Sequence, residues 1–191
     1  MKIKQLSMVL MAVSLISGCT AILSETNDKP IESDPGSRTF GAVIDDHTIE
    51  TTVGVNIRKA DPALDQAHVV VVSYNGIVLL AGQVPREELR DVAAQVAAKV
   101  KNVKRVYNEL TVGENASFAA HANDALLTTK VKGRLLGTAH IKDSRVEVTT
   151  ENGTVFLQGI VTRAEADIAT DAAQNADGVQ KVVRLFEIIE E

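Results

Sequence analysis

The sequence is poor in the residues that stabilise small disulfide-rich proteins or bind nucleic acids. It contains one cysteine, no tryptophan, two tyrosines and four phenylalanines among 191 residues. The single cysteine, Cys19, cannot form a disulfide within the chain. Few aromatic rings are available for base stacking, and the formal net charge of −5 opposes binding to a polyphosphate. General nucleic-acid binding is therefore excluded, and any anion must bind at a locally basic surface.

The sequence also lacks the motifs of common enzyme and metal sites. It has no glycine-rich phosphate loop, no nucleophile elbow and no triad or carboxylate pair that indicates catalysis. Its histidines show no spacing typical of metal ligands; they are His47, His68, His121 and His140. Even His47, which follows Asp45 and Asp46, is more typical of a helix start than of a metal site. We therefore expect a protein that is not an enzyme and holds no metal ion.

A long apolar run is absent too, but a short one lies at the amino terminus. Residues 1–4 contain two lysines, residues 6–16 are mostly apolar, and Ser17 and Gly18 are small. This order of a charged, an apolar and a small-residue region is typical of a secretory signal peptide. The run is too short for a comfortable transmembrane helix, which needs about 20 apolar residues. We predict that residues 1–18 are a signal peptide.

The signal peptide ends in a string that resembles the bacterial lipobox, Ile16-Ser17-Gly18-Cys19. The resemblance implies cleavage before Cys19, a diacylglycerol on its sulfur and an N-acyl chain such as palmitate on its amino group. These groups are covalent anchors, and we expect no other cofactor. The alternative is an ordinary signal peptide with an incidental cysteine. Thr20 stands where inner-membrane lipoproteins usually carry Asp, so the resemblance implies the periplasmic side of the outer membrane.

The segment after Cys19 has little periodicity. It contains Pro30, Pro35 and Gly36, which favour irregular backbone. We predict a lipidated tether over residues 19–44, in which Ile22, Leu23 and Phe40 are the apolar residues available to dock on a folded domain.

An internal repeat dominates the remaining sequence. Residues 46–53 correspond to 124–131, residues 74–82 to 151–159, and residues 103–106 to 179–182. The copies are about 77 residues apart, a period that is too long for a solenoid repeat and indicates a duplicated domain. We predict a first domain over residues 45–113 and a second over residues 114–191.

Each copy predicts the element order αββαβ. Apolar residues recur every four positions in the first helix of each copy, at Ile49, Val53 and Ile57 and at Leu127, Val131 and Leu135. Alternating valines then indicate a strand, and Asn75-Gly76 and Asn152-Gly153 predict type I′ hairpin turns. Thr162 and Glu165 have capping-box spacing at a second helix. The pattern predicts an α+β fold in which two helices cover one face of a three-stranded sheet.

These features resemble the BON domain. The duplicated αββαβ unit, the Asn-Gly hairpins, the glycines that end the returning strands (Gly82 and Gly159) and the capped second helix carry the resemblance. With the lipobox and the tether, nearly the whole chain resembles the outer-membrane lipoproteins that contain two BON domains.

The resemblance implies a non-enzymatic role in outer-membrane integrity and cell division, with binding to anionic phospholipids such as phosphatidylglycerol and cardiolipin. In that family the first helix of the second domain binds the lipid, which places the surface here at about residues 121–136. The implied phospholipid-binding residues are Ala119, Ala122, Leu126, Lys130, Gly133 and Arg134. The family lipoproteins carry Trp at the position of Leu126, and leucine lacks the amphipathic indole that suits the membrane interface.

The residues of this helix support the implied role independently. Between residues 125 and 142 the chain has four basic residues (Lys130, Lys132, Arg134 and Lys142) and no acidic one. Each basic residue near an anionic membrane contributes about 1 kcal/mol of attraction. Two alternatives stay open. The helix face could be merely solvated, with Leu126 buried between domains, or the protein could be an adaptor for another envelope protein, bound near Tyr74 or Tyr107 on the sheet faces or in the cleft between domains.

Overall fold

The computed structural model of the protein describes residues 34–138, 141 and 145–190. The first domain contains α1 (Phe40–Ala60), α2 (Pro62–Gln66), β1 (His68–Tyr74), β2 (Ile77–Val84), α3 (Glu87–Ala98) and β3 (Arg105–Val112). The second contains α4 (Phe118–Leu136), β4 (Val146–Glu151), β5 (Thr154–Thr162), α5 (Arg163–Gln174) and β6 (Lys181–Ile189). All of these elements lie in one compact unit that begins at Pro35.

The two sheets have the same topology. In the first, β2 lies between β1 and β3 and pairs antiparallel with β1 and parallel with β3. In the second, β5 has the same position between β4 and β6. The parallel pairing requires a crossover, which α3 and α5 provide. The predicted α+β fold of two tandem αββαβ domains is confirmed, with the short α2 as an addition.

The Asn-Gly pairs form two-residue hairpin turns, as predicted. Asn75 and Gly76 have φ of 53° and 76°, and Asn152 and Gly153 have φ of 49° and 73°. Positive φ at both central positions defines the type I′ turn, whose twist matches that of the flanking strands.

A buried aspartate holds each of these turns. In the first domain, the carboxylate of Asp46 accepts hydrogen bonds from the backbone N–H groups of Asn75 and Gly76, both at 2.8 Å. In the second, Asp124 accepts from the N–H groups of residues 152–153 at 2.8 and 2.9 Å. Both aspartates are on the first helix of their domain, so the same side chain joins helix and hairpin in each copy.

The predicted helix faces form the cores. Ile49, Val53 and Ile57 of α1 and Leu127, Val131 and Leu135 of α4 are all buried. In each domain the two long helices pack on one face of the sheet, where they meet inward-facing apolar residues of the central strand. The α5 helix begins with the predicted capping box, in which Thr162 and Glu165 bond reciprocally at 2.8 and 3.2 Å.

The opposite faces of the two sheets pack against each other. The buried residues of this contact are Leu79, Ala81, Phe156 and Leu185. Tyr107 packs against the same cluster, and Tyr74 is only 2% exposed, with its hydroxyl donating to the Arg145 carbonyl oxygen at 3.0 Å. The prediction of an exposed apolar surface is therefore wrong for Tyr74, because the second domain covers it, whereas Tyr107 is half-buried at the edge of the same contact.

The first helix begins at Phe40, inside the segment that the sequence assigned to the tether. The hydroxyl of Thr39 accepts a hydrogen bond from the Ala42 N–H at 3.1 Å and caps the helix. Arg38 lies just before it and pairs with Asp46 at 2.9 Å. The predicted signal peptide and Cys19 lie outside the described residues. Among the helices that the structure describes, none has the length and hydropathy needed to cross a membrane.

Candidate functional site

The helix on which the sequence places the lipid-binding surface is α4. It begins at Phe118 because the Ser117 hydroxyl accepts a hydrogen bond from the Ala120 N–H at 3.2 Å and caps the first turn. Its inner side packs on the second sheet through Leu127, Val131 and Leu135. The inner side of the helix is apolar and buried, as in an ordinary amphipathic helix. Its outer side is unusual because it exposes large apolar residues to solvent.

All of the implied phospholipid-binding residues lie on the exposed side of α4. They are Ala119, Ala122, Leu126, Lys130, Gly133 and Arg134. Leu126 is 62% exposed. The alternative in which Leu126 is buried between the domains is therefore wrong. Residues three and four positions apart share one side of a helix, which is why these residues form one surface.

Two further large apolar residues of α4 are exposed and were not predicted as part of the surface. Phe118 is 88% exposed and Leu136 is 61% exposed. Phe118 precedes Ala122 and Leu126 at intervals of four residues, so it extends the apolar side by one turn. The sequence interpretation began the helix at about residue 121, and the N-cap preference of Ser117 was the signal that could have extended it.

The basic residues of α4 have different environments. The Lys132 ammonium pairs with Glu147 of β4 at 3.0 Å, so the structure supplies an acid that the sequence window lacked. The Lys130 ammonium donates to the Asp177 backbone carbonyl oxygen at 3.3 Å. This acceptor is uncharged, so it does not neutralise the ammonium. Among the described residues, the Arg134 guanidinium has no acidic partner within salt-bridge distance. Lys142 lies outside the described residues.

The exposed side of α4 contains no carboxylate. The one acidic residue of the helix, Asp124, is 5% exposed and is bound to the hairpin amides. In the corresponding helix α1, Asp45 is exposed and Glu50 is partly exposed. The two domains have the same fold, so the absence of exposed carboxylates distinguishes the surface of α4 from that of α1. This surface, which we call the outer face of α4, combines Phe118, Leu126 and Leu136 with Lys130 and Arg134.

A second cluster of functional side chains joins the two domains. His68 at the start of β1, His121 in α4 and Glu151 at the end of β4 have donor atoms that all lie within 4.8 Å of one another. The rings of the two histidines have centroids 4.3 Å apart. Sequence spacing did not relate these residues, because they are brought together only by the packing of one domain on the other.

Comparison with known proteins gives a consistent assignment. The BON domain family model matches residues 45–114 and 123–190. The chain is 38% identical over 188 residues to the outer membrane lipoprotein DolP of Haemophilus influenzae, with 98% of this chain and 97% of that protein covered. It is 37% identical over 153 residues to the 21 kDa hemolysin of Actinobacillus pleuropneumoniae, with 80% of this chain and 79% of that protein covered.

Similarity to solved structures is more distant. The C-terminal domain of CdsD, a structural protein of the type III secretion system of Chlamydia trachomatis, aligns with 76% of this chain and 67% of its own, at 16% identity and a TM-score of 0.30. A score this low carries no argument about function or domain arrangement.

Proposed function

The chain belongs to the BON-domain family and contains two copies of the domain, and from this premise we propose that it is a lipid-anchored outer-membrane lipoprotein that binds anionic phospholipid through α4. In this proposal the protein binds lipid and catalyses no reaction. It makes the first domain a scaffold and the second domain the lipid-binding module.

The observation that carries the proposal is the outer face of α4. Leu126, which is 62% exposed, lies one helical turn before Lys130 and two before Arg134. Long basic side chains can lay their methylene groups on hydrocarbon while their charges meet lipid phosphates. Apolar side chains of an interfacial helix enter the boundary between headgroups and acyl chains. The outer face therefore offers both contacts that an anionic membrane surface accepts.

The electrostatics favour local binding over general attraction. The whole chain has a formal net charge of −5, which repels an anionic surface at long range. Lys130 and Arg134 act at contact distance, where each basic residue contributes about 1 kcal/mol near an anionic membrane. An attraction of that size, together with the exposed apolar residues, gives measurable binding at low salt, but stable attachment to the bilayer needs the acyl anchor.

The anchor is assigned to Cys19. We propose that it carries a diacylglycerol and an N-acyl chain, because each buried methylene contributes about 0.8 kcal/mol and more than one chain is needed for stable attachment. The acyl chains would then keep the protein on the periplasmic side of the outer membrane. The outer face of α4 would recognise the lipid headgroups around it.

The test is co-sedimentation of the chain from Thr20 onward, which keeps the whole compact unit from Pro35. We expect binding at low salt to vesicles of phosphatidylglycerol or cardiolipin, and none to phosphatidylcholine. Leu126→Glu should abolish it, because it places a carboxylate on the apolar side of the outer face. Val55→Glu, at an exposed apolar position of α1, is the matched control and should bind like the wild type. Lack of binding by the wild-type chain would reject the proposal.

Support of envelope integrity at division sites, which the family resemblance implies, is part of the same proposal. The Leu126→Glu variant tests it in cells, where a fluorescent fusion should lose enrichment at the division site while staying in the outer membrane. The rival adaptor hypothesis placed its surface on the sheet faces or in the cleft between the domains, and the apolar sheet faces are packed together. The lipid surface is accordingly the candidate with structural support.

A further inference from the structure

We propose that His68, His121 and Glu151 form a binding site for a divalent transition-metal ion, with Zn²⁺ as its best-fitting member, that links the two domains. His68 comes from the first domain, and His121 and Glu151 come from the second. The site is separate from the outer face of α4 and does not depend on lipid binding.

The distances suit a tetrahedral ion. The His68 Nε2 and Glu151 Oε2 atoms are 3.3 Å apart. Bonds of about 2.0–2.1 Å at tetrahedral angles separate two ligand atoms by roughly 3.3–3.5 Å. The His68 and Glu151 atoms therefore already have the separation that a shared metal ion requires. The three ligand atoms all lie within 4.8 Å of one another. Both histidines are partly exposed, so a rotation of their side chains can close the remaining gap.

The carboxylate of Glu151 is held in place by the first domain. Gln83, which is 6% exposed, donates its side-chain N–H to Glu151 Oε1 at 3.0 Å. The Gln83 side-chain oxygen accepts from the Ala116 backbone N–H at 3.0 Å, which fixes the orientation of the amide. Gln83 is also the direct cross-strand partner of His68. One glutamine thus orients the carboxylate so that its other oxygen faces the imidazoles, as outer-shell residues do in metal sites.

The charge balance around Glu151 favours a cation. Glu151 is 7% exposed. Among the described residues, neither lysine nor arginine reaches it, and its side-chain partners are the Gln83 amide and the His68 imidazole. A buried carboxylate needs compensation by a positive charge. The two imidazole rings, whose centroids are 4.3 Å apart, lie close enough to share one metal ion with this carboxylate.

The donor set indicates the class of metal. Two imidazole nitrogens and one carboxylate oxygen are ligands of Zn²⁺ and of other divalent transition metals, and they leave a position open to water. Mg²⁺ and Ca²⁺ prefer sites made of oxygen donors. Zn²⁺ is therefore the probe, and Mg²⁺ serves as the ion that should not bind.

The experiment is a calorimetric titration of the metal-stripped chain from Thr20 onward, which lacks the Cys19 thiol and so removes a competing zinc ligand. We expect saturable binding of one Zn²⁺ per chain, no binding of Mg²⁺, and the visible absorption bands of tetrahedral Co²⁺ when that ion is substituted. His68→Gln and His121→Gln should each weaken Zn²⁺ binding by at least about tenfold. His47→Gln, at an exposed histidine of α1, should leave it unchanged.

A second readout keeps the test independent of folding defects. Zn²⁺ should raise the melting temperature of the wild-type chain, since a ligand that binds only the folded state stabilises it in proportion to the logarithm of its concentration. His121→Gln should keep the metal-free melting temperature, because its side chain is partly exposed, and should lose the Zn²⁺-dependent rise. Absence of saturable binding in the wild type, or wild-type affinity in both histidine variants, would overturn the proposal.

Discussion

At the scale of single residues, Asp46 connects the first helix of the domain to its hairpin. Burial raises the pKa of Asp46, but hydrogen bonds from the Gly76 N–H, the Ser73 hydroxyl, Arg38 and the Asn75 N–H lower it by more. The net result is a pKa below the ordinary value of 3.8. The ionised carboxylate is therefore the form that the folded domain prefers.

We expect Asp46→Asn to lower the free energy of unfolding at pH 7 by about 1–3 kcal/mol, because the neutral amide has one acceptor oxygen and leaves a buried donor without its partner. Because the folded-state pKa is depressed, the contribution of Asp46 is complete above its unfolded pKa and is lost as the pH falls through the folded value. The difference between wild type and variant should thus be constant above about pH 5 and shrink at lower pH. Urea unfolding from pH 7 to pH 2.5 measures it, with the exposed Asp45→Asn as the control. A difference that grew on acidification would contradict this account.

At the scale of elements, α1 and α4 show how one helix scaffold acquires two different outer surfaces. Both helices bury an aspartate and three apolar residues at equivalent positions. Their exposed sides differ, because α1 retains carboxylates at Asp45 and Glu50 whereas α4 has none there. Burial constrains the inner residues of both copies, and the outer residues are left to determine what each helix contacts.

Leu126→Trp should strengthen binding to anionic vesicles, since an indole is better suited than a leucine to the membrane interface. The chain contains no tryptophan, so the introduced indole is the only one, and a shift of its emission to shorter wavelength on vesicle addition reports insertion directly. Thr48→Trp, at the equivalent exposed position of α1, is the control and should show little shift. An equal shift in both variants would mean that α4 has no special contact with lipid.

At the scale of the whole molecule, the two domains pack against each other through the faces of their sheets. Phe156 is 4% exposed and packs with Leu79 and Ala81 of the other domain. The His68–Glu151 contact lies at another point of the same interface. We expect this shared apolar contact to couple the unfolding of the two domains.

We expect Phe156→Ala to lower the free energy of unfolding by about 3–5 kcal/mol, the usual cost of removing a buried phenylalanine. Calorimetry should show one transition for the wild-type chain and two for the variant, because the domains lose the contact that couples them. Leu126→Ala, at an exposed position, should keep a single transition near the wild-type temperature. Two transitions in the wild-type chain would show that the sheet contact does not couple the domains.

Local features were predictable because their causes lie within a few residues of chain. The hairpins at residues 75–76 and 152–153 follow from the two dipeptides, and the capping box from Thr162 and Glu165. The buried faces of α1 and α4 follow from the four-residue period. The start of α1 at Phe40 was harder to predict, because its cap at Thr39 lies in a segment whose prolines and glycine suggested irregular backbone.

The packing of the two sheets against each other, a longer-range feature, has a signal in the sequence of β2. The run from Ile77 to Ala81 is apolar without alternation, which is typical of a strand covered on both faces. The structure shows that Val78 and Leu80 face the helices whereas Leu79 and Ala81 face the other sheet. The packing of sheet on sheet was thus indicated by the sequence, but the partner sheet was not.

The sequence by itself determined the duplicated αββαβ domain, its hairpin turns, the capping box of α5 and the charge of the outer face of α4, because each depends on neighbours along one chain segment. Only the tertiary structure decided that Lys132 meets Glu147, that Tyr74 is buried, and that His68, His121 and Glu151 converge. Those contacts join segments far apart in the chain, and their geometry is set by how the two domains bury their remaining apolar faces.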